Sequence, residues 1–453
     1  MDVIIVILQV IVLLGAIYLG VKIGGIAIGY AGGLGVVVLS LALGMTPGKI
    51  PWDVILIIMS VIAAITAMQV AGGLDYLVQL AERILRKNPK QINYLAPTVT
   101  YLLTLFAGTG HTAFSMIPVI VEVAKEQNIK PSAPLALAVV SSQIAITASP
   151  VSAAVIFLSG IIEPFGVSYP LLLGICIPTT YLGCMIAAFL VNKFSNLKLS
   201  DDPIYQERLK AGLVKQPTTS VQEKVLPKGA KLSVLIFLIG VIAVVFYASA
   251  ISDSLKWIDP VIMKRDEAII SFMLAIATVI TIICKLDVSK LVETNTFRSG
   301  MTAAICVLGV AWLGDTFVRG YESNIKSFAE AVVKDFPFIL AIVLALAAML
   351  LYSQAATAKA IMPTVIVALG ITQENPGDIY MIVASFAAVS ALFILPTYPT
   401  LLGAVQMDDT GTTRIGKYIF NHSFFVIGLL MIFFSVLLGF IVAPVAINIF
   451  GTV

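Results

Sequence analysis

Apolar sequence in this chain breaks off at matching places in its two halves. Leu80-Ala81-Glu82-Arg83-Ile84-Leu85-Arg86-Lys87-Asn88-Pro89 is answered by Phe328-Ala329-Glu330-Ala331-Val332-Val333-Lys334-Asp335-Phe336-Pro337, an offset of 248. Shortly after each copy a polar break interrupts apolar sequence, first Gly108-Thr109-Gly110-His111-Thr112 and then Ser353-Gln354-Ala355-Ala356-Thr357. A proline follows each, Pro118 and Pro363, and a further interrupted segment carries Ser149-Pro150 in one half and Tyr398-Pro399 in the other. A helix that stops midway leaves backbone N–H and C=O groups unpaired, and hydrocarbon offers them no partner. Such breaks persist in a membrane only where protein or a wet cavity satisfies them, and paired breaks in two halves point to a secondary transporter's binding site.

Composition supports a membrane setting. Hydrophobic residues make up 59% of the 453 residues and charged residues 12%, too apolar for a soluble chain of this length. The net charge of +3 implies no nucleic-acid partner. Cys176, Cys184, Cys284 and Cys306 all lie in apolar segments without zinc-ligand spacing, so they read as buried small hydrophobes, and no metal or cofactor is expected. HExxH, GxSxG and Walker motifs are absent, which argues against an enzyme. Met1-Asp2-Val3 has no basic n-region, so the first apolar run reads as a retained membrane helix.

The fold class expected is an all-α polytopic membrane protein built as an inverted repeat. Apolar segments run roughly 3–21, 24–44, 53–71, 133–160 and 169–192, then 232–250, 267–284, 299–318, 378–405 and 422–450. Each is long enough to cross about 30 Å of hydrocarbon. Between the third and fourth of each set lie an amphipathic stretch (74–88, 321–336) and an apolar region broken in its middle (93–124, 337–369). The arms of these broken regions are too short to cross, so each region reads as a re-entrant hairpin with a polar tip near mid-membrane. The first repeat then occupies 1–192, with its hairpin at about 93–124 and a broken helix at 133–160. The inverted second repeat occupies 232–453, with its hairpin at about 337–369 and a broken helix at 378–405. Five crossings per half is odd, so the second half is inserted upside down. With the N-terminus outside, the inner loops carry most of the 28 lysines and arginines, which places both termini on the outer side. Residues 193–231 form a polar cytoplasmic linker that reads as a plain connector.

Several residues could carry the chemistry. Gly108, Thr109 and Gly110 allow a sharp turn and a close approach of backbone to a ligand. Thr112 and Thr357 hold matching positions in the two tips. A helix starting after each tip would aim its N–H groups and positive dipole end at the site, together with Ser353 and Gln354. Two such ends from opposite sides suit a molecule with two separated negative charges. The competing reading is a pair of kinked helices whose hydroxyls bond back to their own backbone. At the proline breaks, Thr147, Ser149 and Pro150, and Thr397, Tyr398, Pro399 and Thr400, offer hydroxyls and freed carbonyls, with packing kinks as the alternative. Lys359 reads as a direct carboxylate contact, or as a lysine that snorkels to an interface. His111 could donate to a carboxylate or take up a proton, or serve only in the tip's structure. Asp315 reads as interfacial, Glu82 and Arg86 as an i,i+4 pair, and Asp408-Asp409 as a solvated loop end.

The hairpin-plus-broken-helix repeat resembles the ion transporter superfamily, which includes dicarboxylate carriers of elevator type. Six strings carry a closer resemblance to the bacterial anaerobic C4-dicarboxylate transporter (Dcu) family: Gly24-Gly25-Ile26-Ala27, Gly72-Gly73-Leu74-Asp75, Gly108-Thr109-Gly110-His111, Ser353-Gln354-Ala355-Ala356, Leu395-Pro396-Thr397-Tyr398-Pro399 and Gly411-Thr412-Thr413-Arg414-Ile415-Gly416. Lys359 and Pro399-Thr400-Leu401-Leu402 are similar to its DcuA branch. The resemblance implies exchange of fumarate, succinate, malate and aspartate across the bacterial inner membrane, with small-molecule dicarboxylates and the lipid bilayer as partners and a homodimer as the assembly. It also implies that Thr109, His111, Thr112, Ser353, Gln354, Thr357 and the two proline breaks hold substrate carboxylates. Composition and spacing alone reach a secondary transporter of a small anion. A proton- or sodium-coupled symporter and a cation/proton antiporter remain as alternatives.

Overall fold

The computed structural model describes residues 3–451 apart from 24–25, 216–224, 253–254, 322, 325–335 and 419. Most of the second amphipathic stretch, Gly24-Gly25 and part of the linker lie outside the described residues, as does the side chain of His111. The described residues are helical throughout, with no strand beyond two isolated bridges, Ile129 to Lys198 and Ile415 to His422. Six described helices are long and apolar enough to cross a membrane by length and composition: Trp52–Val70, Tyr169–Phe194, Ala230–Ala250, Arg265–Ile283, Thr296–Gly320 and Phe425–Phe450.

The first half opens with α1 (Val3–Ile23), α2 (Ala27–Val37) and α3 (Trp52–Val70). Next comes α4 (Gly73–Lys87), whose buried Leu74, Ala81 and Leu85 fall on one face, with Asp75 in the first turn and Arg86 and Lys87 in the last, as the helix dipole favours. Arg86 pairs with Glu82 at 2.7 Å, as its spacing anticipates, and also reaches Glu126 at 2.5 Å.

The first hairpin is α5 (Ile92–Ala107) followed by α6 (Ile117–Glu126), and a broken helix follows as α7 (Ser132–Ile144) and α8 (Ala153–Ile162). The half closes with α9 (Tyr169–Phe194). The linker contains α10 (Pro203–Lys210), started by Asp202, whose carboxylate accepts from the N–H groups of Ile204 and Tyr205. A similar order of elements then recurs. It comprises α11 (Ala230–Ala250), α12 (Arg265–Ile283), α13 (Asn295–Cys306) continuing through a π turn into α14 (Trp312–Gly320), and a hairpin of α15 (Phe338–Leu351) and α16 (Gln354–Ala368). A broken helix follows as α17 (Ile379–Ser385), a 3-10 run over Phe386–Phe393 and α18 (Pro399–Met407), and α19 (Phe425–Phe450) ends the chain's described helices.

Packing gathers these elements into two groups. Hairpins and broken helices pack together, α5 on α7 and α15 on the 3-10 run, with α9 against α19 beside them. In the other group α3 packs on α12 and α2 on the α13–α14 unit. Between α2 and α13 the backbones touch: a Cβ on Gly309 would stand 1.8 Å from the Gly29 carbonyl oxygen, and one on Gly29 would stand 2.3 Å from that of Ile305. Small residues are what permit helices to approach this closely in a membrane.

The linker, read from sequence as a plain connector, is docked on the helices from Lys198 to Lys215. Leu199 N–H donates to Asn128 O at 2.8 Å, Lys130 pairs with Asp202 at 3.3 Å, and Arg208 Nε donates to Asp409 O at 2.9 Å. Asp408 is not a solvated loop end, because it is buried. It accepts from the backbone N–H groups of Thr410 and Thr413 and from the Thr412 hydroxyl, which supplies the partners a buried carboxylate requires.

Gly309→Ala should lower the thermal unfolding midpoint of the purified protein, since overpacking of this kind costs roughly 1–3 kcal/mol. Gly33→Ala, where a Cβ meets nothing within 4 Å, should leave it unchanged or raise it. Differential scanning fluorimetry of the two variants checks this.

Candidate functional site

Both hairpin tips and both proline breaks border one cavity of about 700 Å³. The tips are shaped by matching backbone turns. Gly108 ends α5 at φ +68°, and Tyr352 ends α15 at φ +55°. A tyrosine in the left-handed region costs roughly 1–2 kcal/mol relative to an ordinary conformation. Its hydroxyl is hydrogen-bonded to Thr397, and its ring lies 6.3 Å from that of Tyr398, so the second break holds the second tip in place.

Gly108, Thr109 and Gly110 line the cavity, as do Ser353 and Gln354 from the other tip, and Thr397, Tyr398 and Pro399 from the second break. Of the other expected residues, Thr112, Thr147, Ser149, Pro150, Thr357 and Thr400 stand behind this wall. Thr112 bonds to the Thr104 hydroxyl at 3.0 Å, Thr147 donates to Ile144 O at 2.7 Å, and Thr357 donates to Ser353 O at 2.7 Å. Ser149 donates to Leu105 O at 2.6 Å, the Pro150 carbonyl accepts from Tyr169 at 2.7 Å, and Thr400 accepts from Gln143 Nε2 at 3.2 Å. Ser149 and Tyr169 satisfy carbonyls at the first tip and break, and the other hydroxyls bond side chains or their own helices, so they are engaged inside the protein.

Three features differ from expectation. In the first tip a 3-10 turn over Gly110–Ser115 intervenes and α6 begins only at Ile117, so an α-helical N-terminus follows directly only in the second tip. There Ser353 caps α16, its Oγ accepting from Ala356 N–H at 3.2 Å. Pro399 does not interrupt a helix. It occupies the first turn of α18, where its missing N–H would be unpaired in any case. Lys359 points away from the cavity wall to an ion pair with Asp53, and its Nζ lies 5.8 Å from the centre of the Phe157 ring. The pair gives this partly enclosed lysine a compensating charge.

Three side chains escape a reading for polar breaks. Arg298 on α13 lines the same cavity, exposed and without a side-chain ion pair or hydrogen bond among the described residues. It precedes an apolar run and so reads as a loop flank. Gln143 is fully buried. Its side chain holds Thr400, and its carbonyl accepts from Gln354 Nε2 at 3.3 Å and from Ser390 at 3.1 Å, tying α7 to the second hairpin and the second broken helix. A lone glutamine inside the 133–160 run was the available signal. Tyr352 sits one residue before the polar string. No cluster of three or more potential metal ligands occurs among the described residues.

The cavity thus joins small-residue backbone, hydroxyls and one cation in an otherwise apolar setting, which suits a small polar anion. Ser149→Ala should lower stability by on the order of 1 kcal/mol through loss of the bond to Leu105, and should leave ligand affinity unchanged. Ser353→Ala should alter both. Thermal shift with and without ligand separates the two effects.

A family model described as "Anaerobic c4-dicarboxylate membrane transporter" matches residues 5–447. The C4-dicarboxylate transporter DcuA of Wolinella succinogenes is 63% identical, over 96% of this chain and 99% of that protein. DcuA of Escherichia coli strain K12 is 54% identical over 96% and 98%. The anaerobic C4-dicarboxylate transporter DcuB of Escherichia coli O6:H1 is 37% identical over 96% and 98%. Among solved structures, the Alcanivorax borkumensis YdaH transporter shares the fold with a TM-score of 0.52 at 14% identity, covering 88% of this chain and 86% of that one.

Proposed function

We propose that this chain, which belongs to the anaerobic C4-dicarboxylate membrane transporter family on its DcuA side, exchanges four-carbon dicarboxylates across the bacterial inner membrane. The observation that carries the reading is the convergence of both tips and the second break on one cavity that Arg298 also lines. One substrate carboxylate meets the N–H groups and hydroxyl of the Ser353 tip, and the other meets the glycine-rich Gly108–Gly110 tip. Arg298 lines the same cavity and raises the local concentration of dianions.

The two groups of helices act as two bodies. Residues 1–192 and 232–453 are the inverted repeats, and 193–231 is the cytoplasmic linker between them. Hairpins and broken helices form a transport body that slides, in elevator fashion, against a scaffold that includes α3, α12 and α13. Support comes from the recurring element order and from the few helix pairs that join the groups, such as α3 with α8 and α14 with α16. The distribution of basic residues supports termini in the periplasm. Two copies pair through the scaffold.

Purified protein in liposomes should take up labelled succinate rapidly when fumarate or aspartate is preloaded inside, and slowly without preload. Uptake indifferent to preload and driven by an imposed proton or sodium gradient would replace exchange with symport. Arg298→Gln should raise the KM for succinate by roughly tenfold, the cost of about 1.4 kcal/mol expected for one partly solvated charge contact. Arg86→Gln, away from the cavity, should leave KM unchanged, and initial rates over a succinate series read both.

A further inference from the structure

A second cavity, of about 370 Å³, adjoins the first. The two share Ile57 of α3 and Ala153 of α8 as lining residues. Two helices, α3 and α8, line both cavities, and α16 runs from the large cavity to the ion pair beside the small one. On α3, Val61 lines the large cavity, Ile57 lines both and Asp53 lines the small one, at successive steps of four residues. On α8, Ala154 lines the large cavity, while Phe157 and Gly160 line the small one. On α16, Ala355 lines the large cavity, and Lys359 stands one turn further on the same face, about 6 Å along the axis.

Two ion pairs cross this far end. Lys359 of α16 pairs with Asp53 of α3. Glu163, just past α8, binds Arg265 at the start of α12 with two contacts, 2.6 and 2.7 Å, each side chain 11% exposed. Both pairs therefore join the hairpin and broken-helix group to the α3–α12 group. No comparable ion pair spans the large cavity's Arg298 side among the described residues.

We propose that the two cavities are one solute route, and that the Asp53–Lys359 pair, backed by Glu163–Arg265, is the closed gate at its narrow end. Opening that end requires α16 and α8 to part from α3 and α12, which separates both pairs. The Lys359 and Asp53 side chains are 27% and 35% exposed and the Glu163–Arg265 pair is more enclosed, so parting the groups loses one partly solvated and one sheltered attraction, and the pairs bias the empty protein toward the state closed at this end. The inference rests on reading the large cavity as a transport site, and its test uses no substrate.

Cys306 lines the large cavity and belongs to no disulfide, so it reports access naturally. A membrane-impermeant methanethiosulfonate is added from each side separately, to right-side-out and inverted vesicles, and modification of the Cys306 peptide is read by mass spectrometry. Labelling of Gly160→Cys, at a position where a Cβ meets nothing within 4 Å, identifies the side to which the small cavity opens. From that side Cys306 of the parent protein should label slowly. Asp53→Asn and Lys359→Gln should each speed it by on the order of tenfold, a bias of the size one such pair supplies. The swap of Asp53→Lys with Lys359→Asp should return the rate toward the parent value. Unchanged labelling in both single variants would overturn the proposal. So would a rise that the swap does not reverse, which would mean general loosening. If succinate flux were absent but labelling followed the expected pattern, the gate would stand and the substrate would not.

Discussion

Backbone polar groups left without helical partners where apolar helices stop govern this structure. Each helix that stops at a tip or a break exposes N–H and C=O groups that lipid cannot satisfy. The protein answers with hydroxyl contacts at the ends, Ser149 to Leu105 O and Ser152 to Ile146 O, while Thr100 to Ala138 O and Ser141 to Pro97 O tie α5 to α7. Gln143 extends the same solution across the halves, joining α7 to Gln354, Ser390 and Thr400. With these contacts in place the two tips stay close enough to share a cavity, which Thr109 and Ser353 line.

This division explains why residues of the same type in the same strings have different roles. Thr109 and Ser353 reach the cavity, whereas Thr112 and Thr357, three or four residues later in their tips, are turned inward by one helical step and bond within the hairpin. The charged groups divide in the same way. Arg298 faces the cavity, while Lys359, Glu163 and Arg265 are held in pairs between the two groups of helices.

Much of the architecture was legible because interruption is a strong signal in apolar sequence. Gly108-Thr109-Gly110, Ser353-Gln354 and Tyr398-Pro399 mark the places where the chain turns at the cavity. Side-chain direction was less legible. The sequence around Lys359 shows a costly cation but not that Asp53, 306 residues earlier, would neutralise it. Arg298 flanks an apolar run in the sequence, and only the fold places it on the cavity. Tyr352 was hidden because a left-handed tyrosine is fixed by its contact with Thr397, a tertiary constraint that local propensity does not encode. Pro399 illustrates the limit of reading proline as a helix breaker, since its role depends on whether a helix continues through it or starts there.

The central claim is that the two tips hold one dicarboxylate between them. Its most direct test is the position of bromosuccinate in crystals of this protein, located by the anomalous signal of bromine. The account predicts a peak in the large cavity, between Gly108–Gly110 and Ser353–Gln354. A peak confined to the small cavity beside Asp53, or on the lipid-facing surface, would contradict it.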